Sequence, residues 1–289
     1  MSLHISLREL EVFVAVAELD TVTRAADRVA LTQSAASQAL CKLEQGLGAQ
    51  LFDRVGRRLL LNEHGRLLLP RARALLDAAA DVQGLFDGDA LALRIGASTT
   101  IANYLLPPLL AAFRRDWPRA RLELEVANTR DIVEAVAAFR VDFGLIEGPC
   151  HHPELLASPW RQDELIVFAA AGHPLAGRKV AAAELAQAEW ILREAGSGTR
   201  EEVERVLLPH LSRLAISMEL GHSEAIKHAV AAGLGVSCLS RHVIADLLAA
   251  GAVVAVDADL PPLTRTLYRV QHRDKSASRG MAAFGGHLQ

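Results

Sequence analysis

The spacing of apolar residues predicts the first elements of the chain. A short helix is expected from Val22 to about Ala30, with Ala25-Ala26 small enough for a second helix to cross closely. Leu31 then sits in a tight turn and plugs the shared core. Thr32 is a good N-cap, because its hydroxyl can accept from a free backbone N–H of the next helix. In that helix Ala36, Leu40, Leu43 and Leu47 recur as one apolar stripe, while Ser34, Ser37, Gln38 and Lys42 lie on the other side and Gln33 stands at its start. After Gly46 and Gly48, the run Gln50–Leu61 reads as two short strands around a turn at Val55-Gly56.

From Glu63 to Phe86 one long helix is expected. Gly65, Leu68, Ala72, Leu75, Ala79, Val82 and Phe86 keep a heptad a/d spacing. A seam two positions wide is narrower than a helix packed on its own domain needs, so pairing with a second copy is favoured. Pro70 should kink or loosen the first turns. Gly84 and the cluster Asp87-Gly88-Asp89 should end the helix and form a hinge.

From Leu91 the pattern changes to strands alternating with helices. Strands are expected at 91–96, 122–126, 143–146, 164–169, 216–220, 236–239, 253–256 and 265–271, with helices at about 103–115, 131–140, 199–208, 224–232 and 241–250. Two such sets imply an α/β architecture of two Rossmann-like lobes, with a cleft at the carboxyl ends of the strands where small ligands bind. The Gly-rich tail Ser276–Gln289 is weakly patterned and expected to be partly without fixed structure.

Composition sharpens this picture. The 289 residues carry a net charge of only −3, so any nucleic-acid-binding patch must be local. Between residues 24 and 73 basic side chains outnumber acidic ones, whereas the preceding helix carries Glu9, Glu11, Glu18 and Asp20 against Arg8. Arg54, Arg57 and Arg58 crowd the tip of the predicted hairpin, beside the polar helix face. Short hydroxyls and amides reach base edges, while Lys42 and the arginines reach phosphate. An ordinary helical hairpin with a solvated face explains the helix alone. It does not explain the adjoining arginine hairpin, so double-stranded DNA is the expected partner. No apolar run is long enough to cross a bilayer and no signal pattern is seen, so no membrane association is expected and the default location is cytoplasmic. Cys41, Cys150 and Cys238 form no CxxC pair and suit a reducing compartment.

A candidate ligand site rests on loops that precede helices. Ser98, Thr99 and Thr100 follow the first strand, Asn128 and Thr129 the next one, and Ser197, Thr199 and Arg200 occupy a glycine-flanked loop in the second lobe. His222 lies in a fourth polar turn, Gly221-His-Ser-Glu224. Any one such loop is usually just a helix cap; three lining one cleft favour a small anion.

Other residues are set aside. His151-His152 have no third ligand spaced nearby, and His64 and His222 lack Cys or carboxylate neighbours, so neither metal nor cofactor is expected. Cys41 reads as a packing residue of the polar-faced helix. Ser197 lacks the flanking pattern of a hydrolase nucleophile elbow.

Leu7-Arg-Glu-Leu-Glu-Val-Phe13, Thr23-Arg-Ala-Ala26, Thr32-Gln-Ser-Ala-Ala-Ser37, Leu43-Glu44, Leu51-Phe-Asp-Arg54 and Leu61-Asn-Glu-His-Gly65 together resemble the amino-terminal domain of LysR-type transcriptional regulators. Gln38-Ala39 and Asn62 depart from that pattern, where the family often has a basic residue and a threonine. The Gly-Ser-Gly-Thr-Arg-Glu201 loop and Gly221–Lys227 look like those of regulators of carbon-fixation operons and sulfur assimilation. The resemblance implies a winged helix-turn-helix over 1–62 and a linker/dimerisation helix over 63–88. A periplasmic-binding-protein-like effector domain over 89–289 follows, its chain crossing between lobes near Asp163 and near Thr264–Arg265. That gives a lobe 1 of about 89–163 plus 265–289 and a lobe 2 of about 164–264. It also implies a homodimer or homotetramer on a promoter palindrome, with RNA polymerase as a further candidate partner, and an effector such as a sulfur oxyanion or a phosphorylated metabolite. A disulfide between Cys150 and Cys238, as in peroxide-sensing members of the family, has no sequence support. The competing function is a metabolic enzyme on the same two-lobed domain, for which the arginine hairpin has no use.

Overall fold

The computed structural model describes residues 5–56, 58–84 and 91–288. The chain forms two compact units, residues 1–91 with 274–282, and residues 92–273 with 283–289. Arg57, Phe86 and the expected hinge at 87–89 lie outside the described residues.

In the first unit, α1 (Leu7–Leu19) opens on a capping box in which Ser6 and Glu9 satisfy each other's backbone N–H. Helix α2 (Val22–Arg28) ends two residues earlier than expected, because Ala30 takes a left-handed φ of 52°. Thr32 caps α3 (Gln33–Leu47), its hydroxyl accepting from the Ala35 N–H at 3.2 Å. Strands β1 (Phe52–Val55) and β2 (Arg58–Leu61) form the expected antiparallel hairpin. The Leu59 N–H donates to the Asp20 carbonyl at 2.8 Å and so ties the hairpin to the α1–α2 turn. Phe13, Ala25, Ala26, Ala36, Leu40, Leu43 and Leu51 make the core, with Leu31 packed on its edge.

Helix α4 (Glu63–Gly84) runs unbroken through Pro70. Its heptad seam does not stay open along its length. Ala72 is fully buried with Leu69 in the core of its own unit, and Leu68 and Leu76 pack against that core. Ala72 is therefore withdrawn from any pairing surface. Leu75 and Val82 remain 50% and 60% exposed, and Leu67, off the predicted seam, is 58% exposed. The first turns go inward because Leu68, Leu69, Ala72 and Leu76 bury their apolar surface against α1–α3. Lys275 forms an ion pair with Asp77 in the same unit.

The second unit is built on one continuous sheet, ordered β4 (Arg121–Ala127), β3 (Ala92–Ser98), β5 (Phe143–Glu147), β13 (Thr264–His272), β6 (Leu155–Ala170), β10 (Val236–Ser240), β8 (Glu189–Arg193) and β9 (Ala215–Leu220), with β11 (Val253–Ala255) also on β6. Strand β3 (Ala92–Ser98) lies parallel to β4 (Arg121–Ala127) and β5 (Phe143–Glu147). The helix expected at 103 begins instead as a π-turn over Ile101–Leu105 and becomes α5 (Leu106–Asp116), with Pro107-Pro108 in its first turn, where missing N–H groups cost nothing. Helix α6 (Thr129–Ala137) covers the sheet through Ile132 and Val136. The segment expected as a strand at 164–169 is the end of the long β6 (Leu155–Ala170), which pairs antiparallel with β13 (Thr264–His272) up to Glu164. From Leu165 onward its partners are β10 (Val236–Ser240) and β11 (Val253–Ala255). The sheet thus changes hands at Glu164.

Beyond that point lie β7 (Lys179–Val180), α7 (Ala182–Leu185), β8 (Glu189–Arg193), α8 (Gly198–Leu211), β9 (Ala215–Leu220), α9 (Ser223–Ala231), α10 (Arg241–Ala249) and β12 (Asp257–Ala258), the last pairing with β7. Alternation along β8 and β10 sends Trp190, Leu192 and Cys238 to one core, and Ile191 and Leu239 to another. The tail is not structureless. It forms α11 (Arg279–Gly285), and Phe284 is buried edge-on against Phe113. Among the described residues no helix is long and apolar enough to cross a membrane.

Candidate nucleic-acid face and inter-lobe cleft

On α3 the burial of Ala36, Leu40 and Leu43 turns the opposite side outward. Thr32, Gln33, Ser34, Ser37, Gln38 and Lys42 are all exposed. Cys41, expected to pack, is exposed on this same face, between Ser37 and Lys42. It follows Leu40 into solvent because the inward stripe advances by three and four residues. Arg54 and Arg58 are exposed on the hairpin strands and form no ion pair among the described residues, so both guanidinium groups are available to phosphate. Arg28, by contrast, is held by Glu18.

In the second unit the predicted polar loops converge at the carboxyl ends of β3, β4, β5 and β8, with the lobes close together. Gly198 at the start of α8 packs so tightly that a Cβ there would lie 2.4 Å from Thr129 Oγ1 and 2.5 Å from the Glu147 carbonyl oxygen. Gly196 takes a φ of +90° and has the Arg130 guanidinium where a Cβ would stand. The Arg130 N–H donates to the Gly196 carbonyl at 3.2 Å.

Ser98 and Thr100 are each 1% exposed, and neither hydroxyl has a hydrogen-bond partner among the described residues. Thr99 Oγ1 accepts from Arg193 Nη1 at 3.0 Å. Asn128 caps α6, its Oδ1 accepting from the Asp131 N–H at 3.0 Å, and its amide is directed toward Glu194. Thr129 donates to Glu147 Oε2 at 3.0 Å. Ser197 occupies the N-cap position of α8 without making a capping bond, which leaves its hydroxyl and the first N–H groups of that helix without an internal partner. Thr199 Oγ1 accepts from Arg265 Nη1 at 3.0 Å.

Two of the predicted residues are bonded to other partners. Arg200 is committed to Glu204 and Glu219 and to the Arg193 carbonyl. His222 is exposed and serves as the cap of α9, its Nδ1 accepting from the Glu224 N–H at 3.2 Å. Their neighbours take the interior positions. Arg193 is 3% exposed and also donates to Ser223 Oγ at 3.1 Å; Ser223 is equally buried. The signal was present in the sequence: Arg193 ends an apolar strand at its carboxyl end, where a side chain faces the cleft. Burial opposes ionisation of Glu194, yet hydrogen bonds from Arg193 and Asn128 hold its carboxyl below the ordinary range.

Glu147 and Arg265 were absent from the predicted site. Glu147 is 2% exposed at the end of β5, with Oε1 unpartnered. Arg265 bonds Asp163 through Nε at 2.7 Å, and Ser240 donates to the other Asp163 oxygen at 2.7 Å. Both members of that pair are fully buried beside the change of sheet at Glu164. Cys238 lies inside the β10 core, where burial pushes its thiol up to about 12. Among the described residues no cluster fit for a metal ion is present.

Comparison with known proteins supports both halves. Residues 7–66 match the family described as bacterial regulatory helix-turn-helix protein, lysR family, and residues 87–289 match the LysR substrate binding domain. The chain is 55% identical to the HTH-type transcriptional regulator YeiE of Escherichia coli (strain K12), over 98% of this chain and 96% of that protein. It is 34% identical to a RuBisCO operon transcriptional regulator of Allochromatium vinosum, over 98% and 95%. The regulatory domain of Synechocystis PCC6803 CcmR, solved in complex with 2-PG, superposes on 68% of this chain and 95% of that one, with a TM-score of 0.63 and 31% identity. An arginine-flanked helix-turn-helix followed by a two-lobed ligand-binding unit, with family matches across both, makes this chain a member of the LysR family of transcriptional regulators.

Proposed function

We propose that this regulator binds an imperfect palindrome in promoter DNA as a dimer or tetramer, and that a small anion entering the inter-lobe cleft changes how the assembly holds that DNA. Base edges are read by Ser34, Ser37 and Gln38, and phosphates are gripped by Lys42, Arg54 and Arg58. Arg57 belongs with them by sequence. The open part of α4, at Leu75, Ala79 and Val82, supplies the pairing surface, and duplex DNA as ligand supports a cytoplasmic location.

One observation carries the ligand reading. Ser98 and Thr100 bury two hydroxyls without partners among the described residues, and the start of α8 is left uncapped. Buried polar groups are rarely left unsatisfied, and donors gathered at a helix start suit an anion. Thr99, Asn128, Thr129, Ser197 and Thr199 complete the proposed set, with Arg193, bonded to Thr99, as its buried cation. The CcmR relative, solved with 2-PG, places a small molecule on this kind of domain. A ligand of this kind shifts the balance of assemblies only by its differential affinity for them.

Two measurements test the proposal. A mobility shift on the DNA upstream of the protein's own gene and its divergent neighbour should show salt-sensitive binding. Calorimetric titration with sulfite, sulfate and phosphorylated sugars should find at least one ligand, which then alters the shift. Binding of a neutral or cationic ligand instead, with none of these anions bound, would overturn the anion assignment.

A further inference from the structure

Glu147 is out of place in a cleft that takes anions. It is 2% exposed, and no basic side chain stands within ion-pair distance of it among the described residues. The buried arginines of this unit are already matched, Arg193 with Glu194 and Arg265 with Asp163, and the exposed Arg205 is held by Glu202. One Glu147 oxygen accepts from Thr129, and the other accepts from nothing. Its position is fixed from both sides. Thr129 opens α6, and Gly198 presses the first turn of α8 onto the Thr129 hydroxyl and the Glu147 backbone. Strand β5, which ends in Glu147, runs parallel to and beside β3, whose carboxyl end carries the unsatisfied hydroxyls of Ser98 and Thr100.

A carboxylate at such a place repels an anion that has only acceptor oxygens. It welcomes one that still carries an O–H, because that proton fills its empty acceptor position. We propose that the cleft selects an anion bearing an O–H group, such as a monoprotonated oxyanion or a hydroxylated acid, with Glu147 Oε1 accepting the ligand's proton-bearing oxygen. The inference rests on the anion reading of the cleft and narrows it by ligand chemistry. Ser98, Thr100, Ser197 and the α8 N–H groups take the charged oxygens, and Glu147 reads the remaining one.

Sulfate and inorganic phosphate provide the test, being tetrahedral and nearly the same size. Near neutral pH phosphate retains at least one O–H, and sulfate has none. Calorimetry on the full chain at one pH should show phosphate preferred over sulfate by about 10⁴-fold, the scale on which a site built for a hydrogen bond rejects an analogue lacking it. Glu147→Gln keeps the shape and the bond to Thr129 but offers N–H donors, and should bring the two affinities to within a few-fold of each other. Glu147→Asp keeps the charge but draws it back, and should weaken phosphate while sulfate stays excluded. Operator mobility shift and circular dichroism confirm that each variant is folded. Equal affinities in the native chain, or a preference unchanged in Glu147→Gln, overturn the inference and leave the anion reading standing. Binding of neither anion, with phosphate esters and sulfite also silent, overturns the anion reading and this inference with it.

Discussion

Replacing Arg265 by alanine tests how the two lobes are held. The guanidinium reaches Asp163 at 2.7 Å and Thr199 at 3.0 Å, and both members of the ion pair are 0% exposed. Without it the Asp163 carboxylate keeps only the hydroxyl of Ser240, which donates at 2.7 Å. Breaking one side of a buried pair costs about 3–5 kcal/mol, most of it from the uncompensated charge left behind. With a urea slope of about 2–3 kcal/mol/M for a unit of this size, the midpoint should fall by roughly 1–2 M. Tryptophan fluorescence reports on this unit alone, because Trp117, Trp160 and Trp190 all belong to it. The double change Asp163→Leu with Arg265→Met removes both charges and should recover most of the loss, since a matched apolar pair often replaces a buried ion pair at little cost. A midpoint shift of Arg265→Ala worth less than about 1 kcal/mol would refute the argument, because it would mean that water reaches Asp163.

Three further outcomes follow from the same geometry. Arg54→Ala should weaken operator binding and reduce the salt slope by about one, whereas Ser34→Ala or Gln38→Ala should change which sequence is preferred, as measured by mobility shift across salt and operator variants. Cys41 should react readily with a thiol reagent and be protected by operator DNA, while Cys238 stays silent until the chain unfolds, because a thiol raised to about 12 has almost no thiolate near pH 8; labelling of Cys238 in the native chain would contradict its burial. Leu75→Asp should reduce self-association in sedimentation at little cost to folding. Ala72→Leu should instead destabilise the first unit by roughly 1–3 kcal/mol through overpacking, and a dissociated but fully stable Ala72→Leu variant would reverse the assignment of that residue.

Local patterns had a single physical solution in much of this chain. The Thr32 cap, the Ala36-Leu40-Leu43 stripe and the Val55-Gly56 turn require only neighbours in sequence, so the polar face of α3 and the arginine hairpin were legible directly. The same is true of the strand–helix alternation and of the hydroxyl-bearing loops that precede helices. Packing over long distances was not legible. A heptad seam on α4 reads the same whether it faces a second copy or its own core, and only the shape of the three-helix floor decides that Ala72 goes inward while Leu75 and Val82 stay out. The tail is poor in pattern, yet Phe284 packs on Phe113 and Phe143, both far away in sequence. In the cleft, periodicity places loops but not side-chain directions, and only the packing shows Arg193 and Ser223 buried while Arg200 turns to Glu204 and Glu219 and His222 to its helix cap. The isolation of Glu147 arises because the buried arginines Arg193 and Arg265 pair with Glu194 and Asp163 instead, a balance of charge that exists only once distant strands are brought side by side.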